Sequence, residues 1–408
     1  MGGGVLRGAI AVACGLLLQG CGASKPAQAQ LTMWLVGSES QAKTINTLAE
    51  PFTKRTGIRV RCEAISWGEA HSKYLTAVAG GVEPDIGTMG LTWGIEFGRL
   101  GALVDLRKEF PDGVAAIQQI VFPGLWESIE EGGHVFGIPF DLSIQLLYYR
   151  TDIIPNPPQT WEELTQLLTQ LRQDHRGMVF DWGNLSWIGY APFLWQAGGD
   201  FYNPQKTVGA LTSPEAVRAL EFFRDLYVRY GVPRTAVPLE QGLRTGEFPL
   251  AISGNWKIIS LTTGAPEIAD KWAIALLPKG PNGKRTAFLG GRTAVIFARS
   301  PRKAEAWAFL QYLFEPAAHT TLYQDGLVSY DAYLPPDVAS WDVLPIEPRM
   351  KEIMKQQAQD AKGPPAVVGW TETTHAIESA IQSVVLRDTD PKTELAVANE
   401  AISHNLKQ

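Results

Sequence analysis

A two-domain α/β fold is the class this chain predicts, and three observations carry it. Strand-like runs alternate with helix-like runs, the order expected of βαβ units around a mostly parallel sheet. The length of 408 residues exceeds one ordinary core, at about 150 residues per domain. Hydrophobic residues make up 45% and charged residues 19%, the balance of a folded body rather than of a disordered chain or a membrane bundle.

Each element follows from local pattern. Leu31 to Val36 reads as a strand, and Gln41 to Thr56 places Ile45, Leu48, Ala49 and Phe52 at helical spacing. Gly57 ends that helix, and Pro51 is expected to kink or shorten it. Ile58 to Ile65 reads as a strand and Trp67 to Ala79 as a helix closed by Gly80-Gly81, after which Asp85-Ile86 begins a short strand. A second such region follows Pro139. Gln145 to Tyr149 is a continuous apolar strand, Trp161 to Leu171 an amphipathic helix, and Ser213 to Tyr230 a longer helix with Pro214 in its first turn. Leu250-Ala251-Ile252 and Trp272 to Leu277 read as buried strands, and Ala304 to Phe314 and Thr374 to Leu386 as late helices.

The amino end has a different character. Arg7 supplies positive charge before a short apolar core from Ala9 to Leu18, a run too brief to span a bilayer. Leu17-Leu18-Gln19-Gly20-Cys21 resembles a bacterial lipobox, in which the cysteine is acylated and becomes the first mature residue. That resemblance implies a signal peptide over 1–20, a lipid attached at Cys21 and a tether over 21–30. The alternative is an ordinary secretory signal cut after Ala27-Gln28-Ala29. Either places the body outside the cytoplasm.

A net charge of −6 opposes nucleic-acid binding, which needs a basic face, and gives no support to a polyanionic ligand. Of three cysteines, Cys14 and Cys21 belong to the leader, so Cys62 is alone in the body and no internal disulfide is expected. His71, His134, His175, His319, His375 and His404 are scattered without metal spacing, and no cofactor is expected.

An ordered set of motifs then narrows the reading. Trp34-Leu35-Val36-Gly37, Thr56-Gly57-Ile58-Arg59-Val60 and Pro84-Asp85-Ile86 come first. Gly133 to Pro139, Leu146 to Asp152 and Pro155 to Leu164 follow, and then Ser253-Gly254-Asn255-Trp256, Phe288-Leu289-Gly290-Gly291 and Ala306 to Leu310. Together they resemble the maltose-binding branch of bacterial extracellular solute-binding proteins, the ligand-capturing components of ABC importers. The resemblance implies a two-lobe periplasmic-binding-protein fold of type II, with crossover strands joining the lobes and the ligand held between them. By position the crossovers fall near Phe140-Asp141-Leu142, near Pro278 and around Gly326 to Tyr330. The first lobe is then 31–140 plus 278–326 and the second 141–277 plus 327–408. The implied partners are a sugar ligand, the permease subunits and the membrane reached through the lipid anchor, and the implied state is a monomer.

A sugar presents flat C–H faces and a rim of hydroxyls, so its site needs aromatic plates and hydrogen-bonding groups. Trp93, Trp187, Trp256 and Trp370 fall where the resemblance places the cleft; ordinary core packing is the alternative for each of the thirteen tryptophans. Ser38 and Glu39 follow the first strand, as ligand contacts or as a helix cap. Asp141 sits at a crossover, for ligand contact or for a hinge hydrogen bond, and Arg292 serves hydroxyls or a structural ion pair. Asn184 is a further candidate. The alternatives to a sugar receptor are a receptor of the same fold for a glycerol-phosphate-type polyol, which needs clustered bases, and a glycosidase, which needs two carboxylates across the cleft.

Overall fold

The computed structural model describes residues 1–2, 30–329 and 333–406. The leader, Cys21, the Ala27-Gln28-Ala29 site and Tyr330 lie outside the described residues.

The first lobe is built on a five-stranded sheet ordered Arg59–Ile65, Gln30–Val36, Ile86–Gly90, Arg292–Ile296, Ile138–Pro139. Its first three strands are parallel, and Arg292–Ile296 runs antiparallel to both of its neighbours. Leu31, Met33 and Leu35 alternate with outward residues along strand Gln30–Val36, so one face is buried under helix Glu39–Thr56. That helix is defined by its ends. The Ser38 hydroxyl accepts from the Gln41 N–H at 3.2 Å, and Gly57 closes it at φ 77° with its N–H on the Thr53 carbonyl at 2.8 Å. The helix continues through Pro51 to Thr56 instead of stopping there, because Ile45, Leu48, Ala49 and Phe52 bury one continuous stripe. Cys62 lies in this core, and burial pushes its thiol up to about 12, so it stays protonated.

The second lobe holds a six-stranded sheet in the order Ala361–Lys362, Ala287–Gly290, Ser143–Arg150, Leu250–Gly254, Met178–Phe180. Trp272–Ala275 pairs with the far half of Ser143–Arg150. Helices Trp187–Ala197, Trp370–Arg387 and Pro391–Asn405 pack against helix Pro214–Val228.

The chain leaves the first sheet after Pro139 and enters the second at Ser143. It returns at Gly291, between Ala287–Gly290 in the second sheet and Arg292–Ile296 in the first. This corrects the expectation of a return near Pro278 and of 278–326 as first-lobe sequence. Lys279 bridges to Thr160, and Leu289 and Gly290 pair with Ile144 and Ser143, so 278–290 belongs to the second lobe, while Arg292–Ile296 is back in the first sheet. Pairing partners more than a hundred residues away decided the matter, and local pattern carries no trace of them.

The segment from Tyr333 packs on the first crossing. Leu142 donates its N–H to Leu334 at 3.0 Å, and the Tyr333 hydroxyl donates to the Phe140 carbonyl at 3.3 Å. Behind it, buried His319 on helix Pro316–Ser329 lies 2.7 Å from the Tyr333 hydroxyl through Nδ1 and 3.2 Å from Asp337 through Nε2. Burial pulls the His319 imidazole down from 6.5 to about 4, against the attraction of Asp337. The folded state therefore prefers neutral His319. Its contribution is intact above about pH 6.5 and is lost as pH falls toward 4. Between pH 7 and pH 5 the protein should lose more stability than His319→Gln does. Urea titrations at both pH values check this, and equal losses in the two proteins would count against it.

Candidate functional site

Strand ends and helix starts build the cleft. Helices Glu39–Thr56, Trp67–Gly80, Trp93–Arg99, Trp187–Ala197 and Lys257–Gly264 each have a residue lining one cavity at their first position or at the cap before it: Ser38, Trp67, Trp93, Trp187 and Trp256. Its volume is about 930 Å³. Ser66, Leu91 and Thr92 extend the wall on the first lobe, and Trp182, Ile188 and Phe288 on the second. Asp141, Ser143 and Gly290 to Arg292 lie where the crossings meet, and Ser329 and Pro364 complete the lining.

The aromatic plates brace one another edge to face. Trp67 and Trp93 meet at 5.9 Å and 67°, and Trp182 meets Trp256 at 4.7 Å and 69°. Phe288 joins Trp182 to Trp187, at 5.1 Å from each. Trp67 remains 51% exposed, a large flat apolar surface open to solvent. Trp256 has its own support. Its ring lies directly over Gly254, where a Cβ would come within 1.9 Å of the indole. Asn255, the residue between, is clamped to Ile144 by a pair of hydrogen bonds at 2.9 and 3.0 Å, and the Tyr148 hydroxyl holds the Gly254 carbonyl at 2.7 Å.

Where the crossings meet, a buried ion pair joins them. Arg292 donates Nε to Asp141 Oδ2 at 2.8 Å, Nη2 to the same oxygen, and its backbone N–H to Asp141 Oδ1 at 2.7 Å. Its Nη1 donates to Gln41 Oε1 at 2.8 Å and to the Val36 carbonyl. The pair is reached only because two glycines clear the way. A Cβ on Gly37 would stand 2.8 Å from Arg292 Nη1, and one on Gly291, at φ 141°, would stand 2.3 Å from the Asp141 carbonyl.

The sequence candidates divide accordingly. Trp93, Trp187, Trp256 and Ser38 lie in the wall. Asp141 and Arg292 also line it, but each is committed to the other, so the ion-pair and hinge readings describe them better than ligand contact. Glu39 is exposed on the first helical turn outside the lining, where it favours the helix dipole. Asn184 accepts from the Tyr227 hydroxyl at 2.8 Å and is not in the wall. Trp370 is a correction of another kind, since it is buried behind Trp187 at 5.0 Å and serves as backing. Trp67, Trp182 and Phe288 were not anticipated. One signal was available for the first two. Trp67, Trp182 and Trp256 each stand two residues past the end of a strand, at Ile65, Phe180 and Gly254.

Two α/β lobes, two crossings pinned to each other and an aromatic cavity at the strand ends define a solute-binding protein that grips its ligand between lobes. The chain belongs to the bacterial extracellular solute-binding protein family, whose model matches residues 47–342. It is 26% identical to a probable ABC transporter-binding protein of Deinococcus radiodurans, over 84% of this chain and 86% of the relative. It is 27% identical to a lactose-binding protein of Rhizobium radiobacter, over 51% of this chain and 53% of the relative. The fold matches that of the sugar-binding protein MalE from Xanthomonas citri with a TM-score of 0.81 at 22% identity, over 93% of this chain and 98% of the other.

Gly254 is not in a left-handed conformation, so its backbone accepts alanine and only the Trp256 ring objects. Gly254→Ala should displace that ring, change the tryptophan emission and cost about 1–3 kcal/mol by overpacking. In a Trp256→Phe background the emission change should vanish. An identical spectral change in both backgrounds would show that the glycine acts elsewhere.

Proposed function

We propose that this protein is an extracytoplasmic receptor that captures an oligosaccharide, a disaccharide or a glycosylated small solute and delivers it to an ABC importer. The observation that carries the reading is the pair of facing aromatic walls, Trp67 and Trp93 on one lobe and Trp182, Trp187 and Trp256 on the other. Sugar rings offer C–H faces that such plates cover, while Ser38, Ser66, Thr92 and Ser143 exchange hydrogen bonds with the hydroxyl rim. A ligand touching both walls adds contacts only when the lobes approach, so binding favours closure about the crossings. The sugar-binding neighbour and the lactose-binding relative support the same class of ligand.

The same reading makes the protein a monomeric, lipid-anchored partner of a permease, with Cys21 as the acylated residue. It is a binder and not a glycosidase. Sugar hydrolysis by the usual route needs two carboxylates flanking the bond, and among the described residues of the wall the carboxylate is Asp141, held by Arg292.

A thermal-shift screen against mono-, di- and oligosaccharides tests the proposal, because a ligand of the folded state raises the melting temperature. At least one carbohydrate should do so, and Trp256→Ala should weaken it more than tenfold, about 1.4 kcal/mol, with the fold retained. Silence across the whole panel, or wild-type affinity in the variant, would overturn it.

A further inference from the structure

We infer that the ligand of this cleft is electrically neutral, and that the receptor selects against charge because the ionic groups among the described lining residues are spent on the hinge. The inference rests on the receptor reading above and narrows its ligand class.

Among the described residues that line the cavity, Asp141 and Arg292 are the ionisable ones. Neither is available. Both Asp141 oxygens accept from Arg292, and the remaining guanidinium donors on Nη1 go to Gln41 and the Val36 carbonyl, leaving one Nη2 hydrogen uncommitted out of five. The two residues are 5% and 4% exposed. A ligand that recruited either group would strand the other as a buried uncompensated charge, and would loosen the joint between the crossings at the moment closure needs it.

Two charged groups just outside the wall are likewise matched, and a third, the exposed Glu39 carboxylate beside Ser38, can only repel an anion. Lys257, next to Trp256, lies 3.1 Å from Asp181 and 3.0 Å from Glu240. His71, under Trp93, meets both Glu96 oxygens at 3.1 Å. What faces the ligand is therefore indole, hydroxyl and backbone. The helix starts around the cavity add N–H donors and about half a unit of positive charge each, which falls off within the first turn. That suits the lone pairs of hydroxyl oxygens. A carboxylate or phosphate enclosed between indole walls would give up its hydration and meet no full opposite charge in return. A cationic ligand fares no better inside the wall, since Asp141 already has its partner and Glu39 stands outside the lining in water.

The test separates charge from shape. The carbohydrate that gives the largest thermal shift is compared by calorimetry with its uronate, in which a carboxylate replaces one hydroxymethyl group, and with the corresponding uronamide. The full chain is used. The uronamide should bind within about threefold of the parent, and the uronate should bind at least about 100-fold more weakly, about 2.8 kcal/mol. Added salt should leave the parent's affinity unchanged, as expected where no ion pair forms with the ligand. A uronate that binds as well as its amide overturns the inference and leaves the sugar receptor standing. If no carbohydrate binds, the sugar reading fails and neutrality is decided by two other probes. Binding of glycerol 3-phosphate then overturns it, and binding of an uncharged nucleoside with glycerol 3-phosphate silent upholds it.

Discussion

The Asp141–Arg292 pair is the interaction on which the rest of this structure depends. Each partner stands on a different segment passing between the lobes, Asp141 between two strands and Arg292 at the start of one, and the two are bonded side chain to side chain and side chain to backbone. Phe140 adds its N–H to the Arg292 carbonyl at 2.7 Å, so the crossings form one joint and not two independent tethers. Removing one partner from such a buried pair costs about 3–5 kcal/mol, because the survivor keeps its charge and loses its compensation. The cost is concentrated where the lobes turn. Gly37 and Gly291 are required beside it for plain steric reasons, which ties three separate stretches of sequence to a single local geometry.

The cleft inherits its form from that joint. Strands of both sheets end beside it, helices begin there, and an indole standing two or three residues past a strand end has nowhere to go but the gap between lobes. Ring-on-ring bracing then keeps the plates in place. Trp187 illustrates the arrangement, with Phe288 on one side and Trp370 behind it, both close to perpendicular. On the proposed reading, an amphipathic ligand meets a prepared surface and closure supplies the second wall. The hinge consumes the charge and the aromatics supply the grip, so the two functions do not compete for the same residues.

Much of this was legible in the chain before folding. Helix Glu39–Thr56 could be read from its stripe and its glycine stop, and helix Pro214–Val228 from Ser213, whose hydroxyl accepts the Ala216 N–H at 3.2 Å. These signals are local, and so they survive in sequence. The placement of Ala287–Gly290 does not, since it rests on pairing with Ser143 and Ile144 across the fold. Asp141 and Arg292 were each visible as polar residues in apolar surroundings, yet their partnership spans 151 positions and only the fold brings them together. Trp370 looked equal to Trp187 for a similar reason. Both open helices, and which of them faces the gap is decided by packing between helices.

A single crystal structure can decide whether the ligand is held by indoles and hydroxyls while the hinge pair stays closed on itself. In the complex with a neutral oligosaccharide, sugar rings should lie against Trp256 on one lobe and against Trp93 or Trp67 on the other. Arg292 Nε should remain within about 3 Å of Asp141. A complex in which the guanidinium or the carboxylate has turned to bind the ligand, with the pair broken, would contradict it.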